Sequence, residues 1–109
     1  MEIKLNDPFA AELMKAQTAL MQVIDPELYV NIVDLGLVYG VDFTDAKKVK
    51  VTMTLSTPGC PMGDAITGGV KNVLGLVFPD REIEVDIVWE PQWNYHMITD
   101  AGKAQMGLE

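Results

Sequence analysis

Cys60 is the only cysteine in the chain, and its setting makes it the first place to look for chemistry. It follows Ser56-Thr57-Pro58-Gly59 at the end of an alternating segment and precedes Pro61, a residue suited to the first position of a helix. A thiol at such a cap faces the free N–H groups of Met62 and Gly63, and the helix dipole favours its thiolate. A lone cysteine is more often a small buried hydrophobe, yet a polar strand-to-helix turn favours the reactive reading here.

Two carboxylates, Asp25 and Glu27, flank Pro26. They offer two hard oxygen ligands or an acid–base pair, while their plainer role is turn formation around the proline. Placed at the end of a helix they meet the negative end of its dipole, a local cost. Carboxylates beside a thiolate also raise its pKa unless a cation lies between them. The set therefore suits iron or another divalent metal, but one sulfur leaves such a site incomplete. Ser56 and Thr57 lie next to it as hydroxyls. His96, the only histidine, reads as a packed or surface imidazole. Trp89 and Trp93 suit core packing and an exposed partner surface equally.

The elements that must position these residues follow from periodicity. Asp7-Pro8 predicts a helix start, and Phe9, Leu13, Ala16, Leu20, Val23 and Ile24 continue it as an apolar stripe that Pro26 ends at Asp25. An irregular loop runs to Gly36. Alternation over Leu37, Tyr39, Val41 and Phe43, then Val49, Val51, Met53 and Leu55, predicts an antiparallel hairpin with one buried face. Met62, Ile66, Val70, Val73, Leu74 and Val77 trace a second helix, and Ile83, Val85, Ile87 and Trp89 a third strand. The tail carries a poor helix capped by Thr99. The economical solution is an α+β, two-layer α-β-β-α-β sandwich, a small three-stranded sheet covered by two helices. In it the start of the first strand and the end of the second share one sheet end, so Asp25 and Glu27 converge with Cys60.

Composition bounds the rest. The chain has 109 residues, 49% apolar and 22% charged, which suits one globular domain over 1–109 with its core at about 8–98. One cysteine excludes an internal disulfide and a CxxC pair. Lys plus Arg is 8 against 16 Asp plus Glu, a net charge of −8 that repels phosphate backbones and anionic lipid. With no GxxG loop and no apolar run near the ~20 residues of a membrane span, neither nucleic acid nor membrane is an expected partner. Met1-Glu2-Ile3-Lys4 lacks a signal-peptide pattern, so a cytoplasmic location is expected.

Four blocks carry a resemblance: Asp25-Pro26-Glu27-Leu28, Asn31 to Tyr39, Met53 to Pro61, and Val88 to Trp93. They closely resemble the SufT/PaaD-like family of iron–sulfur cluster assembly (FSCA) domains, from about Ala16 to Ile98. The resemblance implies the α-β-β-α-β fold and a non-enzymatic, auxiliary role in maturing iron–sulfur proteins. It matches the family's reactive cysteine to Cys60, its acidic pair to Asp25 and Glu27, and its hydroxyl pair to Ser56 and Thr57. Iron or an iron–sulfur cluster would be held transiently, with an assembly scaffold, a client protein or a second copy in a homodimer supplying further sulfurs. One departure stands out: Tyr29 occupies a position that is often glycine in the family, where a positive φ would strain it. Two alternatives remain open. One is a PaaD-like accessory subunit of a phenylacetyl-CoA-type ring-epoxidising oxygenase complex. The other is a cysteine-dependent enzyme with Asp25 or Glu27 as base.

Overall fold

The computed structural model describes residues 3–56 and 63–107. Among them the elements run α1 (Ala10–Leu20), β1 (Val38–Asp42), β2 (Lys48–Met53), α2 (Gly63–Val77), β3 (Glu82–Ile87) and α3 (Asp100–Met106). The sheet order is β1-β2-β3, with β1 antiparallel and β3 parallel to β2. A parallel neighbour demands a crossover, which α2 provides. The expected α+β sandwich is present, with α3 as the short third helix. Among the described residues no helix is long and apolar enough to cross a membrane.

The strands form as their alternation dictates. Val49, Val51 and Met53 are fully buried while Lys48 and Lys50 are exposed. The same side of the sheet receives Ile66, Val70 and Leu74 of α2 and Ala16 and Leu20 of α1, all in one core cluster. Phe43 lies between Phe9, stacked with centroids 6.2 Å apart, and Phe78, edge-on with centroids 5.1 Å apart. Arg81 closes that corner. Its Nη1 donates to the carbonyls of Phe43, Asp45 and Lys48 at 2.9–3.3 Å, and its guanidinium lies 5.2 Å from the Phe43 ring. The β1–β2 turn is thereby tied to the start of β3.

Three sequence expectations are corrected. Helix α1 begins at Ala10, not at Pro8: Asp7 instead caps the preceding turn, its Oδ1 accepting the Phe9 N–H at 2.7 Å. The helix also ends at Leu20, five residues before Asp25. Val23 and Ile24 fit the helical stripe, but Ile24 pairs with Asn31 in an antiparallel bridge and the Val23 carbonyl accepts from Ile32. The dipole cost assigned to Asp25 and Glu27 therefore does not arise. Finally, a bulge between Val38 and Gly40 breaks the alternation of the first strand at Tyr39. Both Leu37 and Val38 are consequently buried, and the Tyr39 hydroxyl reaches the C-terminal segment instead of the core.

Candidate functional site

The Asp-Pro-Glu-Leu-Tyr block folds as a single helical turn with a cap at each end. Asp25 is its N-cap: Oδ1 accepts the N–H groups of Glu27 and Leu28 at 2.8 and 3.1 Å. Pro26 takes the first position, where a missing N–H is harmless. Tyr29 ends the turn in the left-handed region at φ 59°, its N–H donating to the Asp25 carbonyl at 2.8 Å. The Asp25 N–H in turn donates to Val30 at 3.0 Å. Asp25 is only 2% exposed, whereas Glu27 is exposed. The turn role of Asp25 is thus realised, and the two carboxylates differ: one is buried and shapes the loop, the other faces solvent.

A relay of backbone hydrogen bonds fixes this loop to the sheet. Ile32 donates to Val23, Leu37 to Ile32, and Thr54 to Leu37, at 2.8–3.0 Å. The Asp25 turn therefore sits at the sheet end where β2 exits toward Ser56, which is half-buried. Helix α2 approaches the same segment: a Cβ on Gly69 would lie 3.3 Å from Val23 Cγ1, about 9 Å along the helix from Gly63. Thr57 and Cys60 lie outside the described residues. Among those that are described, no three His, Cys, Asp or Glu side chains gather to hold a metal.

The Asn31–Gly36 block does work that sequence reading took for an irregular loop. Asn31 and Asp34 form a side-chain pair, Nδ2 to Oδ2 at 2.8 Å, and Asn31 Oδ1 accepts the Asp34 N–H. Asp34 then receives the tail: Thr99 donates through its N–H to the Asp34 carbonyl and through Oγ1 to Oδ1, at 2.8 and 3.0 Å. Thr99 is also the N-cap of α3, as its sequence position suggests. The Asn31–Asp34 pair had a local signal, Asn-x-x-Asp, a turn-forming pattern; its bond to the tail had none.

Two aromatic anchors complete it. Trp93 Nε1 donates to the Leu35 carbonyl at 2.6 Å, and its half-buried ring packs against the core. Tyr39 Oη donates to the Pro91 carbonyl at 2.6 Å, across a cis Glu90–Pro91 bond. Burial raises the Tyr39 pKa, a hydrogen bond with Thr54 opposes that, and the Glu90 charge adds to it. The bridge to Pro91 therefore keeps its proton through neutral pH and is lost as alkali titrates the phenol. Of the two tryptophans, Trp93 is a tail anchor and Trp89 is 45% exposed.

Residues 14–87 match the family described as iron–sulfur cluster assembly protein. The chain belongs to that family. It is 45% identical over 86 residues to the Fe-S protein maturation auxiliary factor SufT of Staphylococcus aureus, covering 79% of this chain and 98% of that one. It is 42% identical over 91 residues to the Fe-S protein maturation auxiliary factor YitW of Bacillus subtilis, covering 84% and 89%. The crystal structure of the domain of unknown function DUF59 from Bacillus anthracis superposes with a TM-score of 0.83 at 41% identity, over 91% of this chain and 94% of that one. The family's matched segment spans the Asp25 turn, the Asn31–Gly36 clamp and the whole sheet.

Proposed function

We propose that this protein is an auxiliary factor in the maturation of iron–sulfur proteins, taking iron or a cluster transiently through Cys60 in concert with a second protein. The observation that carries the reading is arithmetic joined to kinship. A chain of the iron–sulfur assembly family has one cysteine and one histidine, too few for a cluster site of its own. The missing sulfurs come from a client, an assembly scaffold or a second copy. Sharing ligands in this way suits a carrier, since each partner holds the cargo incompletely and can release it to the other.

The acidic loop supports that chemistry in two ways. Asp25 sets the shape of the turn through two charge-assisted hydrogen bonds. Glu27 is the carboxylate on the solvent side of that turn, and its charge favours a cation at the neighbouring sheet end. Ser56 and Thr57 flank the thiol in sequence. The protein acts by binding and transfer, not as an enzyme. It works in the cytoplasm, where a single thiol stays reduced.

Anaerobic purification with iron and sulfide analysis tests this directly. Wild-type protein is expected to carry substoichiometric iron, and Cys60→Ser none above background. Equal iron on the two proteins would remove Cys60 from the proposed role.

A further inference from the structure

Among the described residues, β3 pairs with β2 on one side and ends the sheet on the other. Its hydrogen-bonding direction is fixed at both ends of the ladder. Glu82 donates to the Lys47 carbonyl and Val88 to the Met53 carbonyl, each at 2.8 Å. Main-chain groups alternate sides along a strand, so Glu84 and Asp86 also serve the ladder. The N–H and C=O groups of Ile83, Val85 and Ile87 therefore point away from β2, and among the described residues they have no backbone partner.

The side chains agree. Ile83, Val85 and Ile87 register with Val49, Val51 and Met53. Those central residues are fully buried, while their neighbours on β3 stay half-buried on the same face. A strand added beside β3 would cover what is left. The opposite edge is less open to such pairing, because a bulge between Val38 and Gly40 interrupts β1, whereas β3 keeps one register from Glu82 to Ile87. The chain beyond β3 runs the other way: Pro91 bonds to Tyr39 of β1, and Trp93 and Thr99 bond to Leu35 and Asp34 just before it.

Charge sets what the edge accepts. On the exposed face, Asp42 of β1 registers with Lys50 of β2, Lys50 with Glu84 of β3, and Lys48 with Glu82. Asp42, Lys48, Lys50 and Glu84 border one hollow there. Asp86 registers with Thr52, which brings no charge. The face thus runs acidic, basic, acidic from strand to strand. Opposite charges on neighbouring strands stabilise the pairing and like charges oppose it. A second copy of β3 would set acid against acid, so self-pairing is barred. A basic strand continues the alternation.

We infer that β3 is a docking edge for an extended segment of a partner protein in which Lys or Arg alternates with a β-branched residue. The segment adds as a further strand, its backbone bonding to Ile83, Val85 and Ile87 and its basic side chains lying beside Glu82, Glu84 and Asp86. This goes beyond the maturation role: no step involves the thiol and the test uses no metal, so either can fail without the other.

The probe is a labelled peptide of about ten residues alternating Lys and Val, titrated at about 0.15 M salt while amide exchange of the protein is followed. Two controls separate strand addition from simple attraction to an acidic chain. One peptide alternates Glu and Val; the other carries its lysines and valines in separate blocks. The alternating Lys peptide is expected to bind about tenfold tighter than either control and to slow exchange at Ile83, Val85 and Ile87 about tenfold. Val85→Pro removes an outward N–H and no ladder bond, a change that an edge strand accepts, and should weaken binding about tenfold. Equal binding of the block peptide, unchanged exchange at the three outward amides, or full affinity in a folded Val85→Pro protein would each overturn the inference. So would outward amides that exchange no faster than those of Glu84 and Asp86 before peptide is added. If Val85→Pro does not fold, the exchange measured on the native chain decides.

Discussion

Gly36→Ala is expected to lower stability by about 3 kcal/mol, a drop of roughly 12 °C in Tm for a chain of this size, and to free the C-terminal segment. Gly36 sits at φ 76°, where any Cβ is strained, and a Cβ there would collide with the Met97 carbonyl oxygen and approach its carbon and Cβ at 2.9 and 3.0 Å. Neither side yields easily. Gly36 is held by its N–H to Val33, and Met97 by its N–H to Asn94. The loop and the tail must therefore part, taking with them the bonds of Trp93 to Leu35 and of Thr99 to Asp34. Tryptophan fluorescence reports the release as a red shift of Trp93. Gly75→Ala is the control: a Cβ there meets nothing within 4 Å, so helix propensity alone should leave stability unchanged or raise it by about 0.5–1 kcal/mol. A Gly36→Ala protein melting within ~2 °C of wild type, well under the shift expected for one lost kcal/mol, would mean the close approach to Met97 is not a constraint.

The second large effect belongs to Asp25. Alanine leaves the Glu27 and Leu28 N–H groups without their acceptor at a position only 2% exposed, and stability should fall by about 2–4 kcal/mol. Asparagine retains an oxygen in the Oδ1 place and should recover most of the loss. Because the carboxylate is committed to the turn, Asp25→Asn is also expected to keep maturation activity near wild type. Thermal melts of both variants, paired with iron–sulfur enzyme activity in cells, decide the matter. A folded but inactive Asp25→Asn would place the negative charge itself in metal handling and reverse the division of labour between Asp25 and Glu27.

How far the sequence led can be judged residue by residue. Strand β2 and helix α2 were legible because their apolar positions keep one period and meet one core, from Val49 to Met53 and from Ile66 to Leu74. The end of α1 was not, because periodicity cannot distinguish a buried residue on a helix from one in a paired loop. Val23 is buried either way, and the bridge from Ile24 to Asn31 is a non-local choice. The bulge at Tyr39 was equally hidden, since it exists to send one hydroxyl to Pro91, 52 residues on. Asp25-Pro26 was readable as turn chemistry, but not as the N-cap of a separate turn, because the apolar stripe carried the first helix on to Asp25. The resemblance raised a positive φ at Tyr29 only as a condition, from the glycine common at that place, and the backbone there has φ 59°.

For the candidate site, the shared sheet end was legible from topology: antiparallel β1 and β2 force the start of one beside the end of the other. The tail clamp was not, because its bonds join residues more than fifty positions apart, Leu35 to Trp93 and Asp34 to Thr99. Its consequence for function is rigidity. Asn31 closes the Asp25 turn on one side through its bridge to Ile24 and supports Asp34 on the other, so the acidic loop and the tail share one fixed frame.

The most direct test of the account is complementation with Cys60→Ser in a strain lacking its own copy, measured as iron–sulfur enzyme activity at matched protein levels. Activity at the level of the deletion, with the variant's Tm unchanged, is the predicted result. Activity equal to wild type would contradict a role for the thiol in maturation.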